Sequence, residues 1–530
     1  MSENMISLSE KLSRRARAAP YGRALSCGET TLTWGQLEAR TNRIARALEG
    51  LGVKLGDLVT IGLPNGINFI EACWGIWKLG ATPQPVSFRL PSAELQAVVD
   101  LADPPVVIAM PGLETNRRRV AVEDLLALSA DDRAIEPRVA PVLMAPTSGG
   151  STGRPKLILS GLPGVTLAEP NGPGTWRLGL GETALIPAPL YHGGVFVCAL
   201  DAMVRGAHLV LMSRFEAEGV LSEIERRKAS WVYLVPTMMS RIWRLPEEVR
   251  ARYDISSLKT LWHFAAPCPP WLKEAFINWL GPEVIMEIYG GTEAQAWTII
   301  TGSEWLDHRG SVGRVYGGEM KAFDADGNEL PPGDVGEIYM RRPEGSPPSY
   351  TYRGATARTL PAGWESLGDI GYFDTDSYLY LADRRTDMIL VGGSNIYPAE
   401  VEAAIEEHPL VISSAVVGLP HDDMGSSIHA IVQARAGLTE DELLAHVAER
   451  LVTYKLPRTI EFVAEPLRDE AGKLRRTQLR DERVARRSPQ SHTLNQDREV
   501  RQRHRDSLRE ESRKSPERAE GLLTPDARSE

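Results

Sequence analysis

Short apolar runs alternate with amphipathic stripes of helical period through the first 240 residues, and this alternation restricts the chain more than any other feature. Thr33 and Gln36 make a capping-box pattern before the stripe Leu37, Ile44, Ala45 and Leu48, and Gly50 with Gly52 supplies a stop. LVTIGLP (58–64) then reads as a buried strand and INFIEACWGIWKLGA (67–81) as a helix. Ser213 and Glu216 repeat the capping-box spacing ahead of Val220, Leu221 and Ile224, and WVYLVPT (231–237) is again a short β-branched and aromatic strand. Strand alternating with helix calls for an α/β fold with doubly wound parallel sheets.

The pattern changes twice further on. MKAFDADGNELPPGDVGEIYM (320–340) sets a DADGN turn between two alternating strands, so a small β-rich subdomain is expected over about 312–382. After LADRRTDMILVGG (381–393) come a helix at PAEVEAAIEEH (398–408), a strand at AVVGLP (415–420) and an amphipathic helix at EDELLAHVAERL (440–451), which is α+β order. The 530 residues exceed the roughly 250–300 at which a single core stops growing. We therefore divide the chain into a large N-terminal domain (1–385), a smaller, mobile C-terminal domain (386–485) and a charged tail (486–530). The tail has both signs of charge and no sustained apolar period, and is expected to be disordered.

A net charge of −10 argues against a basic face for nucleic acid. The cysteines, at 27, 73, 198 and 268, are too few and scattered for a disulfide framework or a CxxC metal site, which fits a reducing cytoplasm. No secretory apolar stretch follows Arg14 and Arg15, and no run reaches the ~18–20 apolar residues of a membrane span. The expectation is a cytoplasmic protein without integral membrane contact; a homodimer stays open.

The strongest chemical signal is PVLMAPTSGGSTGRPKLILS (141–160), read as an apolar strand running into Thr147, Ser148, Gly149, Gly150, Ser151, Thr152, Gly153 and Lys156. Glycines let backbone turn close to an anion, hydroxyls donate to it and a lysine adds charge: a polyphosphate cradle. A Walker loop needs GK[ST] opening a helix, and here Pro155 precedes Lys156 and removes a backbone donor.

This stretch resembles the signature loop of the ANL superfamily, which holds acyl-CoA synthetases, peptide-synthetase adenylation domains and firefly-type luciferases. Further motifs follow in family order. By resemblance, IYGGTE (288–293) supplies Tyr289 to pack on adenine, Thr292 to touch phosphate and Glu293 to face Mg²⁺. HFAAPCPPWL (263–272) is similar to the adenine-facing turn, with Ala265 and Ala266 where many relatives have glycine. SLGDIGYFD (366–374) implies Asp369 as acceptor for the ribose hydroxyls, and LADRRTDMI implies Arg384 as a second ribose contact and Thr386 as hinge, with Asp383 where glycine is common. Gly472-Lys473 matches the mobile catalytic lysine, and Gly392 with Gly393 would border a pantetheine tunnel. PAPLYHGGVF (187–196) is similar to the acyl-pocket segment, with His192 as gate. His192, Gly193, Val195, His263 and Gly290 are the expected lining, and Gly193, Gly194, Gly290 and Gly291 would leave room for a bulky acid.

The resemblance implies ATP, Mg²⁺ and coenzyme A as cofactors and a small carboxylic acid as substrate, in the manner of aryl-acid and bile-acid CoA ligases. A carboxylate is a poor electrophile, so ATP would first convert it to an acyl-adenylate. Lys473, Glu293, Thr292 and His192 would serve that chemistry, and transfer to CoA would follow. Transfer to an amine or a carrier protein is the alternative.

Overall fold

The computed structural model describes residues 4–149, 155–169, 172, 174–391, 394–421, 424–469 and 472–487. Residues 488–530 of the expected disordered tail, most of the glycine-rich loop (150–154) and the Gly392-Gly393 pair lie outside the described residues, while residues 486 and 487, assigned to that tail, end the helix Arg476–Arg487.

Two sheets carry the N-terminal part. One is wholly parallel, in the order Thr82–Pro85, Leu58–Gly62, Val107–Ala109, Arg119–Val120. The larger has a parallel centre of Arg23–Cys27, His208–Leu211, Thr183–Ile186, Trp231–Leu234, Thr260–His263 and Ile285–Gly290. Strands buried on both faces read as continuous apolar runs, as WVYL does with all four residues buried. The hairpin-rich stretch continues this sheet: Trp297–Thr301, Ser311–Tyr316, Tyr378–Arg384, Trp364–Phe373, Gly336–Arg341 and Glu319–Phe323 add antiparallel strands in that order.

Helices fill the space between the sheets. Ile67–Lys78 is buried from Phe69 to Lys78, and a Cβ at Gly75 would stand 2.4 Å from Ile44 Cγ2, so glycine sets how closely it packs on Trp34–Gly50. The same helix buries Lys78, paired with Glu38 at 2.8 Å, and Glu71, paired with Arg40. Removing one member of such a pair costs about 3–5 kcal/mol, because the other charge is left stranded.

Thr33 and Gln36 form the expected capping box. Ser213 and Glu216 do not: the helix begins at Ala217 with Glu216 itself as the cap residue and no side-chain cap bond. Nor is the apolar run 141–146 a strand. The strand is Thr147–Gly149, which turns back antiparallel onto Pro155–Ser160, and that strand pairs with Tyr350–Arg353.

The C-terminal part is α+β. Val411–His421 and Gly425–Ala434 pair antiparallel, Thr459–Val463 joins in parallel, and Ile389, Val401, Ile405, Val416, Val432, Leu443 and Val447 form a separate core. Its helix Pro398–Glu406 is gripped at both ends by the N-terminal part. Asp383 Oδ2 accepts the Ala399 N–H at 2.8 Å, and Arg244 Nη2 donates to the Glu406 carbonyl at 3.1 Å. Each charge opposes the helix dipole at its own end. Among the described residues no helix is long and apolar enough to cross a membrane.

Candidate active site

Ligands of open α/β sheets gather beyond the carboxyl ends of the parallel strands. Here Thr183–Ile186, Thr260–His263 and Ile285–Gly290 run out into segments of which Tyr191 and His192, residues 264–267 and residues 291–294 line a cleft of about 2850 Å³. Residues 466–469 and 472–476 of the C-terminal part close its far side.

On one wall Tyr289, Asp369 and Arg384 meet. The Tyr289 hydroxyl donates to Asp369 Oδ2 at 2.7 Å, and Arg384 Nε stands 3.3 Å from Oδ1. Burial, and then the Asp369 charge, push the Tyr289 phenol well up, so it remains a neutral donor. Ala265 and Ala266 line the same region, and Ala265 takes φ +78°, a left-handed conformation that costs a residue with a Cβ.

Glu293 occupies the centre, nearly buried. Its Oε1 accepts from the Tyr352 hydroxyl and lies 3.4 Å from Lys156 Nζ. Thr292 lines the cleft beside it, and Thr147 is tied back by Gln84 Nε2 at 2.9 Å. Ser148 and Gly149 enter as hairpin backbone opposite Lys156 and Pro155; Gly150, Ser151, Thr152 and Gly153 lie outside the described residues. Lys473 comes in from the opposite side on a turn whose Gly472 has φ +75°, and a Cβ there would sit 3.0 Å from Thr237 Oγ1. Among the described residues the Lys473 ammonium has no hydrogen-bond or ion-pair partner. Burial lowers its pKa; Asp469 and Glu293 pull it back up, and Arg384 lowers it further.

The third wall holds His192, Gly193, Val195 and Gly290. His192 precedes the helix Gly193–Val204; its Nε2 is buried with no hydrogen-bond partner among the described residues, and burial, then Lys473, bring its pKa down to about 3. Such an imidazole is neutral at ordinary pH. His263 does not line this cleft. It is fully buried within its strand, 3.9 Å from Glu287, in a cluster with Lys273. The glycines also act differently from expectation. A Cβ at Gly193 would strike Thr292 Cγ2 at 2.7 Å and one at Gly194 would strike Phe264 Cε2 at 2.6 Å, so neighbouring side chains fill those spaces. Thr386 lies exposed in the turn after Tyr378–Arg384, its hydroxyl 3.3 Å from Asp387 Oδ1.

The family model for AMP-binding enzymes matches residues 12–350, and that for the AMP-binding enzyme C-terminal domain matches residues 400–473. The chain belongs to the AMP-binding enzyme family. Within the ANL superfamily it is similar to a feruloyl-CoA synthase of Amycolatopsis sp, 33% identical over 491 residues that cover 88% of this chain and 97% of the relative. A 2-succinylbenzoate–CoA ligase of Bacillus licheniformis is 30% identical over 88% of this chain and 98% of its own length. The solved o-succinylbenzoate CoA synthetase of Bacillus subtilis, in complex with its acyl-adenylate intermediate, superposes with TM-score 0.76 at 25% identity, covering 90% of this chain and 98% of that one. An amide bond synthetase, McbA of Marinactinospora thermotolerans, gives 0.72 at 25% identity over 89% and 99%.

For an AMP-binding enzyme the donor set suits magnesium carried by ATP. No cluster of three or more His, Cys, Asp or Glu that could hold an ion occurs among the described residues, while Glu293 keeps one oxygen unengaged. One carboxylate with phosphates and waters is how Mg²⁺ is ordinarily held. Several residues of the site escaped the sequence reading. Trp176 reaches the cleft because its carbonyl accepts from the indoles of Trp231 at 2.7 Å and Trp262 at 3.0 Å. Phe264 packs between Trp176 and Tyr233 with its ring tilted to both. Asn65 pins the acyl segment through the Ala188 carbonyl at 2.7 Å and the Leu190 N–H at 2.8 Å. Trp176 and Asn65 belong to no local pattern, whereas Phe264 follows His263 in HFAAPCPPWL.

Proposed function

We propose that the protein is an ATP-dependent, AMP-forming carboxylate–CoA ligase acting on a ring-bearing acid. A carboxylate oxygen attacks the α-phosphorus of ATP, the bond to pyrophosphate breaks, and an acyl-adenylate forms. The thiol of CoA then attacks the acyl carbon, AMP leaves with the bonding pair and the thiol proton goes to solvent.

The observation that carries this reading is the Lys473 ammonium, unpaired among the described residues and delivered by the C-terminal part into a cleft that also presents Glu293 and Arg384. A cation held ready where a carboxylate and a phosphate must approach one another supplies preorganised stabilisation. Tyr289 would pack on adenine, Asp369 and Arg384 would hold the ribose, and Thr147, Thr292 and Lys156 would face phosphate. Glu293 would hold the magnesium that accompanies ATP, an ion that would supply Lewis acidity toward phosphate. Neutral His192, with Trp176 and Phe264, would shape an aromatic acyl wall, and the names of the feruloyl- and succinylbenzoate-CoA relatives favour ring-bearing acids. Residues 1–385 would form the adenylating domain and 386–485 a domain turning about Thr386, with Gly392 and Gly393 beside the pantetheine path. Four free cysteines favour a cytoplasmic setting.

The test offers ferulate, 2-succinylbenzoate, benzoate, fatty acids and amino acids with Mg·ATP and measures pyrophosphate exchange and AMP release. A ring-bearing acid should support exchange, and AMP release should depend on CoA. Exchange with none of them overturns the reading; AMP release that needs an amine moves it to the amide synthetases, which the likeness to McbA makes the second candidate.

A further inference from the structure

Tyr352 lies on Tyr350–Arg353, the strand that pairs with the returning arm of the signature hairpin in the register Tyr352 to Ile158. That pairing places it beside Lys156 and Glu293. Its hydroxyl donates to Glu293 Oε1, Lys156 Nζ stands 3.4 Å from the same oxygen, and the ammonium lies 3.9 Å from the centroid of the Tyr352 ring. Tyr350 braces that ring edge-on at 4.6 Å and is itself anchored to Glu365 at 2.7 Å.

Both partners take one oxygen of the carboxylate. The other, Oε2, has no hydrogen-bond partner among the described residues, and it lies against Gly291 beside Leu367: a Cβ at 291 would meet Leu367 Cδ1 at 2.5 Å and Oε2 at 2.6 Å, so a side chain there would displace the carboxylate. Lys156 on its own would attract both oxygens into a salt bridge. The phenol prevents this by fixing the carboxylate plane, and the ring face gives the ammonium a second attraction, off the carboxylate axis.

We propose that Tyr352 is a positioning residue of the magnesium–ATP site, holding Glu293 by Oε1 so that Oε2 faces the cation. The proposal rests on Glu293 being the carboxylate that meets magnesium. Tyr352→Phe isolates the hydroxyl, because the ring, and with it the ammonium–ring contact, is retained.

ATP is titrated calorimetrically into the full chain, in EDTA and in rising magnesium chloride, with thermal unfolding as a check on folding. Wild type should gain ATP affinity as magnesium is added. Since a hydrogen bond to a charged group is worth about ten-fold in an equilibrium, the Phe variant should need about ten-fold more magnesium for the same gain. Parallel loss of affinity in EDTA and in magnesium, or a magnesium dependence like that of wild type, overturns the proposal. Glu293→Gln separates the two levels. If it keeps the full magnesium gain, the parent reading of Glu293 fails; if it loses the gain while Tyr352→Phe keeps it, only the role of Tyr352 fails. Absence of ATP binding under every condition sinks both.

Discussion

Ala265 takes the backbone through φ +78° at the mouth of the cleft, where its Cβ crowds the following carbonyl. Strain at such a position is typically about 1–3 kcal/mol, against about 0.4–1 kcal/mol of extra unfolded-state entropy brought by glycine. Ala265→Gly should therefore stabilise the fold by about 1 kcal/mol, seen as a higher urea midpoint at unchanged slope; a lower midpoint would show the alanine to be unstrained. At this scale one convergence was legible: Tyr289, Asp369 and Arg384, ninety-five positions apart end to end, do meet. Legibility failed where a role depends on a partner far away in the chain. His263 reads as pocket-lining from its motif, yet alternation along its strand sends its ring inward and Phe264 to the cleft. Tyr352 and Trp176 sit in stretches with no motif, and only strand pairing and indole hydrogen bonds bring them in.

Among the elements, the helix Pro398–Glu406 has the most informative surroundings. Burial pushes Asp383, at its amino end, up to about 6 from an ordinary 3.8, although Arg476 and the amides of Ala399 and Arg384 pull the other way and Glu402 adds to the rise. Because the folded value is raised, the contribution to stability is full below about pH 4 and is lost as pH climbs through 6. Asp383→Asn keeps an oxygen for the Ala399 N–H and has no charge to bury, so above that range it should be more stable than wild type by an amount on the order of 2 kcal/mol. Unfolding temperatures measured for both proteins across about pH 4 to 8 should diverge upward; curves that stay parallel would exclude the linkage. The elements were otherwise well marked in sequence, because periodicity is local. Thr33 with Gln36 carried a true cap signal, whereas Ser213 with Glu216 had the same spacing without the bond, since the chain enters that helix three residues later. The apolar run 141–146 misled because burial beside other strands needs no strand geometry of its own.

For the whole molecule, the decisive relation is that the C-terminal part sets Lys473 over the cleft. Gly472 allows the close approach to Thr237, and Arg475 reaches Glu94 at 3.6 Å across the same junction. Lys473→Ala should abolish adenylate formation, a loss of at least about 10²-fold for one transition-state donor, and leave thioester formation from supplied acyl-adenylate within a few-fold of wild type. Equal losses in both halves would show the lysine to be structural.

The grip on Pro398–Glu406 has a further consequence. A carboxylate at the amide end and a guanidinium at the carbonyl end make a seat with polarity, like a battery holder: inserted backwards, the helix would set like against like at both terminals. One orientation only therefore satisfies both ends, and it is the orientation in which the C-terminal part sets Lys473 over the cleft.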